Sequence, residues 1–479
     1  MRFFTDGPSL PDELLELCDN GEVVFFCGAG VSKNEGLPDF EELTQQVLDH
    51  FSPQDTAESQ ITFKVYYKEQ KQPVLDQVFR CLHQEFGVDQ VNRVVAEKLA
   101  RSTNYISKSH SLLLTLSQNS NNVPQIVTTN FDLLFEQASD CSLPIYQAPF
   151  FPHLKHGMSI EGITYLHGKL VSPDIDRHDY ILSSADFGKA YLSQGWATDF
   201  VLSLLETKTV VLIGYQAEDP PIKYLLQGLN HSSPLEGSIY ALDVGTSDDV
   251  SIQWANKGVK GIACSSYEDL WKVLKYWSER KQDPRLWREN VLRKAENSPS
   301  KLASWERGQV AHIVKTIAGS KVFADHKPLI HPEWICVLDE KCRLGDVSKD
   351  FWGDKSSYDP INDFGLDDDP KRLGDEKIDL SLGQYVRLLT ALKFDEMQNA
   401  SLTIVNYYPS IPPRLFHLSR WILKSVNSPV ILWWLFRQTK LHPWLLEKLV
   451  ESVDYDEMGA IAYKYWRLTL EHFGRAEFI

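Results

Sequence analysis

The sequence predicts an α/β protein built on a doubly wound, Rossmann-like parallel sheet, followed by a mainly α-helical C-terminal region. Three observations lead there. Short β-rich runs alternate with helical stretches from Glu22 to about residue 275. The runs are apolar throughout rather than alternating, as strands buried on both faces are. Five of them end in glycine, asparagine, aspartate or histidine, residue types that turn a chain or meet a ligand at the carboxyl edge of such a sheet.

The elements follow in order. "EVVFFCGAG" predicts the first strand and a glycine turn, and residues 40–120 then interrupt the alternation with a helical insertion. Its clearest pieces are "FEELTQQVLDHF" and "VNRVVAEKLARS". "VPQIVTTNFD", "ITYLHG", "TVVLIGY", "SIYALDV" and "GVKGIAC" predict the remaining strands. A first domain therefore covers 1–275. A basic helical segment and an acidic linker rich in Asp, Gly and Pro occupy 276–379, and a helical region fills 380–479. The last helix shows little sign of a cap, so the chain is expected to be the front part of something longer. Trp421, Trp433, Trp434, Trp444 and Trp466 of this region are expected in helix packing.

Composition narrows the function classes. The chain has 479 residues, too many for one ordinary core, and a formal net charge of −16. That charge argues against a non-specific nucleic-acid partner. The longest late apolar run, "PVILWWLF", is too short to cross a membrane. Seven scattered cysteines without a C-x-x-C pair read as reduced thiols of a cytoplasmic protein.

The candidate site residues lie at the strand ends. Gly28, Ala29 and Gly30 follow the first strand, where glycine lets backbone approach a ligand and helix-start N–H groups attract anions. Ser32 or Asn34 is expected to cap the helix behind them. The spacing G-x-G-x-x-x-x-x-G to Gly36 misses the usual dinucleotide fingerprint, which would want its third glycine at Lys33. Asn130 and Asp132 follow the second run and His167 the third. Gly214, Tyr215 and Asp219 follow the fourth, and Asp243 ends the fifth, where an acidic residue suits ribose hydroxyls.

This order of motifs resembles the Sir2 (sirtuin) superfamily. GAGVS with "GLPDF" is similar to the family's GAG-I-S…G-I-P-D-F-R signature, "TTNFD" to T-Q-N-I-D, and "LHG" to its His-Gly. The details look like the SIR2-like NADase domains of bacterial anti-phage effectors, which share "TTNFD", a "YILSSADFGKAY"-type segment and an "IGY…DP" turn. The resemblance implies that NAD is bound as substrate and cut at the nicotinamide–ribose bond, giving nicotinamide and ADP-ribose and depleting cellular NAD in abortive defence. By the same resemblance Asn130 holds the ribose and positions water, Asp132 sits by the carboxamide, and His167 bonds ribose hydroxyls as general base. Gly28, Ala29, Gly30 and Ser32 would receive the pyrophosphate, with Gly214 and Tyr215 closing the other side. Pro38, Asp39, Phe40, Asp219 and Asp243 complete the implied nucleotide set.

Two departures separate the chain from deacetylating sirtuins. Residues 169–263 contain no cysteine, so the zinc ribbon of those enzymes is not expected. Glu41 stands where the family has Arg. Water is then the available acceptor, and a protein deacylase or ADP-ribosyltransferase is the weaker reading. A non-catalytic nucleotide-sensing module is the other alternative, though it would not need the histidine. A toxic NADase needs a gate, so a homo-oligomer and a trigger, a phage protein or a partner ATPase, are expected.

Overall fold

In the computed structural model, seven strands form one all-parallel sheet in the order β3-β4-β2-β1-β5-β6-β7. They are β1 Val23–Cys27, β2 Gln125–Thr128, β3 Ile145–Gln147, β4 Gly162–Tyr165, β5 Thr209–Ile213, β6 Ile239–Val244 and β7 Lys260–Cys264. The structure describes residues 1–338 apart from 73, 101–105, 140, 153, 155–159, 172–179, 218–219 and 233–238, together with 418–425, 428 and 431. Nearly all of the expected linker and C-terminal helical region falls outside that set, as do Asp219, Trp433, Trp434, Trp444 and Trp466.

Six strands coincide with the six apolar runs, and β3 is an addition. It is three residues long, only partly buried, and lies between Pro144 and Pro149 at the sheet's edge. Such a segment has neither the length nor the apolar density that marks an interior strand.

β1 shows why the sheet is covered on both faces. All five of its residues are buried, and successive side chains leave a strand on opposite faces. Phe25 meets Trp277 of the helix Tyr267–Gln282, with ring centroids 5.8 Å apart. Phe26 meets Tyr215 at 5.0 Å and joins a core with Phe200, Leu204 and Trp254. Burying one such phenylalanine is worth about 1.5–3 kcal/mol.

The insertion between β1 and β2 is helical, as expected. Helices Phe40–Phe51, Leu75–Phe86 and Val88–Leu99 build a second core from Leu43, Val47, Val78, Phe79, Leu82, Val91 and Val95. Phe131, from the loop after β2, and Leu134, which opens the helix Leu134–Ala138, are part of that core. The insertion therefore anchors the loop that carries two candidate site residues.

The chain divides into two compact units. Glu13–Gln282 holds the sheet, and Met1–Asp12 joins Asp283 onward in the other. The latter packs helices Pro284–Lys294, Ser304–Val314 and Ile317–Asp325. Trp421 is buried there, edge-on to Phe323 at 5.2 Å, with its indole N–H on the Ile330 carbonyl, 2.9 Å. No helix among the described residues is long and apolar enough to cross a membrane.

Candidate active site

The register of the sheet lines the predicted residues up. Cys27 pairs with Thr128 and Thr128 with Tyr165. Asn130 and His167 therefore lie two residues past paired positions on neighbouring strands, at the carboxyl edge, with β1's glycine loop on the far side of β2. On its other side β1 pairs with β5, Cys27 opposite Ile213, which sets Gly28 beside Gly214. Strand order reverses at this β1–β5 junction, the switch point where open parallel sheets bind ligands.

The glycines are demanded first by that junction. A Cβ on Gly28 would lie 2.6 Å from the Gly214 carbonyl oxygen, and one on Gly30 2.7 Å from Gly214 Cα. The amide of Gly28 donates to Ile213 O at 3.0 Å and that of Gly30 to Gly214 O at 2.9 Å. Gly214 itself has φ +60, in the left-handed region that favours glycine. The two loops are thus stitched backbone to backbone.

The helix after the loop runs from Ala29 to Lys33 and is capped by Gly28, with Asn34 at its C-terminal end. The expected cap at Ser32 or Asn34 is absent because the helix starts earlier. Ser32 instead turns inward. Its hydroxyl donates to Asp132 Oδ2 at 2.7 Å and accepts from Asn130 Nδ2 at 3.0 Å. The same Nδ2 donates to the Gly28 carbonyl at 3.1 Å. A carbonyl can only accept, so this contact decides which end of the amide is nitrogen. Among the described residues no donor meets Oδ1, which is left as the acceptor open to a ligand.

Asp132 uses both oxygens within the protein, Oδ2 on Ser32 and Oδ1 on the Leu134 amide at 3.1 Å. Between Asn130 and Asp132, Phe131 enters the insertion core and stacks obliquely on Tyr180 at 5.1 Å. The "NFD" triplet is one apolar anchor flanked by two polar groups facing Ser32.

Sequence reading missed what stands behind Ser32. His110 Nε2 lies 3.4 Å from the Ser32 hydroxyl, and Nδ1 lies 2.6 Å from Ser107 Oγ. Ser107 caps the helix Lys108–Leu116 and donates to Glu35 Oε1 at 2.7 Å. Burial pushes the His110 pKa down, against the pull of the Asp132 and Glu35 carboxylates. A signal existed in "SKSHSLLLTL": His110 shares a helix face with Leu113 and Leu114, three and four residues on, which marks it as buried.

His167 has its own housing, made by the "YILSSADFGKAY" segment. Ile181 N donates to the His167 carbonyl at 3.0 Å, Phe187 stands edge-on to the ring at 5.2 Å, and Tyr191 OH is 2.8 Å from Nε2. Tyr191 lies on a π-helical turn, Gly188–Ser193, a geometry frequent at functional sites. Gly168, at φ +91, turns the chain directly after the histidine. Burial alone pushes the His167 pKa down to about 3, so the ring is neutral.

The remaining candidates have structural partners of their own. Asp39 caps the helix Phe40–Phe51 through a capping box with Glu42 and pairs with Lys33 at 2.6 Å. Phe40 stacks on Phe79 at 5.4 Å, and Pro38 beside it is half-buried. Glu41, the departure from the family's Arg, accepts from Tyr67 OH at 2.6 Å and pairs with Lys68. Asp243 is the penultimate residue of β6, where its Oδ2 accepts the Trp254 indole N–H at 3.0 Å. Among the described residues no cluster of His, Cys, Asp and Glu could hold a metal ion.

Comparison with known proteins fits this architecture. Residues 124–262 match the model of the SIR2-like domain family. The match takes in β2 through most of β7 and the Asn130, Asp132, His167 and Gly214 positions. β1 and its glycine loop lie before it and are tied to it by the sheet. The chain is also 29% identical over 320 residues to the uncharacterized protein y4cA of Sinorhizobium fredii (strain NBRC 101917 / NGR234). That similarity takes in 61% of this chain and 25% of y4cA, so it spans about a quarter of the relative's length. The matched segment lies within the parallel sheet, so residues 124–262 read as a SIR2-like domain, which supports kinship with the Sir2 superfamily.

Proposed function

We propose that this chain is an NAD+ glycohydrolase acting at the carboxyl edge of β1, β2 and β4. The observation that supports it most is the pairing of Asn130, with one open carboxamide oxygen, and a neutral His167 on the adjacent strand end. Neighbouring strands are about 4.8 Å apart, a separation that one ribose can bridge.

The chemistry fits those two groups. The scissile bond joins ribose C1′ to a cationic pyridinium nitrogen, and its cleavage passes through an oxocarbenium-like state. The bonding pair leaves with nicotinamide, whose nitrogen becomes neutral. Water adds to C1′ and loses one proton. Asn130 Oδ1 accepts a hydrogen bond from that water and turns its lone pair towards C1′. A neutral His167 accepts from a ribose hydroxyl without placing a positive charge beside the developing cation, where an imidazolium would oppose it. With a pKa so far below neutrality its main contribution is orientation rather than proton removal.

Gly28, Ala29, Gly30, Gly214 and Tyr215 frame the crevice that would take the remainder of the dinucleotide. A homo-oligomeric, triggered form in an anti-phage setting belongs to the same proposal, motivated by the resemblance of the sequence. Incubating the full chain with NAD and quantifying nicotinamide and ADP-ribose tests the activity. Release above the rate of an Asn130→Ala protein supports it, and nucleotide binding without any release would replace it with a sensing role.

A further inference from the structure

We propose that Ser32 and Asp132 are positioning residues that lock the Asn130 carboxamide, Asp132 acting through the Ser32 hydroxyl, an inference resting on the glycohydrolase reading above. The links leave the loop after β2 and return to it by way of the helix behind the glycine turn. Asn130 Nδ2 lies 3.0 Å from Ser32 Oγ, Ser32 Oγ 2.7 Å from Asp132 Oδ2, and Leu134 N 3.1 Å from Asp132 Oδ1. The backbone is tied as well. The Asn130 amide donates to Thr128 Oγ1 at 3.1 Å, and that hydroxyl donates to Cys27 O at 3.0 Å. Ser32, Thr128, Asn130 and Asp132 are all buried.

Counting hydrogens fixes every direction. A carboxylate only accepts, so the single Ser32 hydroxyl hydrogen lies on Asp132, and Leu134 N donates to the other oxygen. Ser32 Oγ therefore meets Asn130 as an acceptor. The two hydrogens of Nδ2 are then both placed, one on Ser32 Oγ and one on the Gly28 carbonyl at 3.1 Å. Both lie in the plane of the amide, so that plane is set, and Oδ1 is its one uncommitted atom among the described residues. His110 does not disturb this. The Ser107 hydroxyl donates to Glu35 Oε1 at 2.7 Å, so the ring hydrogen sits on Nδ1 and donates to Ser107 Oγ at 2.6 Å. Nε2 keeps a lone pair, and at 3.4 Å it competes poorly for the Ser32 hydrogen with a carboxylate at 2.7 Å. Loss of Asp132 frees that hydrogen to turn to Nε2 and moves the Oγ lone pairs off Asn130.

Two substitutions of equal bulk separate this role from general support of the core. Threonine keeps the hydroxyl, and valine puts a methyl in its place. In the full chain, Ser32→Thr is expected to keep kcat for NAD within about five-fold of wild type, and Ser32→Val and Ser32→Ala to lower it at least about ten-fold. KM for NAD and the Kd of ADP-ribose should stay within about two-fold in all three, because the lock orients the group that holds the water rather than the pyrophosphate. Equal kcat for the Thr and Val proteins at matched thermal stability, or wild-type kcat in Ser32→Ala, overturns the lock and leaves the glycohydrolase reading standing. An ADP-ribose complex weakened about ten-fold overturns it too, by making Ser32 a phosphate ligand. Asp132→Ala should lower kcat as Ser32→Ala does, and the double variant should lose no more than the larger single loss. Multiplied losses mean that Asp132 acts on its own and overturn its place in the lock.

Should the wild-type chain release no nicotinamide, that reading falls, and the lock is judged without turnover. In 15N-asparagine spectra of the full chain, the Asn130 side-chain amide is identified by its loss in Asn130→Ala. Both of its hydrogens should be protected from exchange, with the protection kept in Ser32→Thr and lost in Ser32→Val. Free exchange in the wild-type chain, or equal protection in the Thr and Val proteins, overturns the lock.

Discussion

Asn130 Nδ2 donates to the carbonyl of Gly28 across 3.1 Å, tying the end of β2 to the residue where β1 becomes the glycine loop. The bond has one permitted direction, and that direction leaves Oδ1 without a donor among the described residues. Asn130→Ala is therefore expected to lower nicotinamide release at least a hundred-fold, with a melting temperature within a few degrees of wild type. Asn130→Asp should be worse for stability, because a carboxylate cannot donate to Gly28 O. The expected loss is about 1–3 kcal/mol by urea unfolding at neutral pH. Wild-type turnover in either protein removes Asn130 from the mechanism.

Burial governs the response to acid. The pKa of His167 is pushed down to about 3 and that of His110 is lowered, so both rings bind a proton less readily folded than unfolded. Their contribution to stability is full above the unfolded pKa of about 6.5 and falls as pH drops below it, by up to about 1.4 kcal/mol per pH unit per ring. Urea unfolding at pH 7.5 and 5.5 should show a smaller acid loss for His167→Gln than for wild type. Identical losses would mean that the ring is solvated.

The loop glycines make a steric prediction. Gly28 has an extended backbone at φ −112, which any residue can adopt, so the obstacle to Gly28→Ala is steric: the Gly214 carbonyl oxygen at 2.6 Å and Tyr215 Cβ and Cα at 2.7 and 2.8 Å. A loss of about 1–3 kcal/mol is expected from overpacking. Gly214→Ala should cost more, because it adds a left-handed φ of +60 to a Cβ only 2.6 Å from Val31 N. Thermal unfolding of the two proteins gives the order directly.

At the other end of the edge, Asp243 and Trp254 distinguish a structural carboxylate from a ribose ligand. Trp254→Phe removes the indole donor at 3.0 Å and is expected to destabilise by about 1–3 kcal/mol. Asp243→Asn should leave KM for NAD within about two-fold. A ten-fold rise in KM without loss of stability would return Asp243 to the nucleotide site.

The strands were legible where burial on both faces forced an unbroken apolar run, as in "VVFF", "TVVLI" and "SIYALDV". β3 was not, because three residues between prolines carry no such pattern. Asn130, Asp132 and His167 could be picked out because they follow apolar runs directly. Their partners could not. Ser107 and His110 lie inside the helical insertion and meet Ser32 only through tertiary packing, and Tyr191 reaches His167 from a π-helical turn that no local periodicity announces. The cap expected at Ser32 or Asn34 failed for a related reason. Contacts of Gly28 and Gly30 with β5, remote in sequence, start the helix one turn early.

The strand order also has a temporal consequence. β1 is the first strand to be synthesised, yet its partner on one side, β5, is the fifth. Translation advances at roughly 5–20 residues per second, so β1 waits on the order of ten to forty seconds for that partner. During this interval the amides of Gly28 and Gly30 have no Ile213 or Gly214 carbonyl to bind. A ribosome-bound chain that already contains Asn130 and His167 therefore still lacks the β5 side of the proposed nucleotide site, which the β1–β5 seam completes only once the sheet has closed.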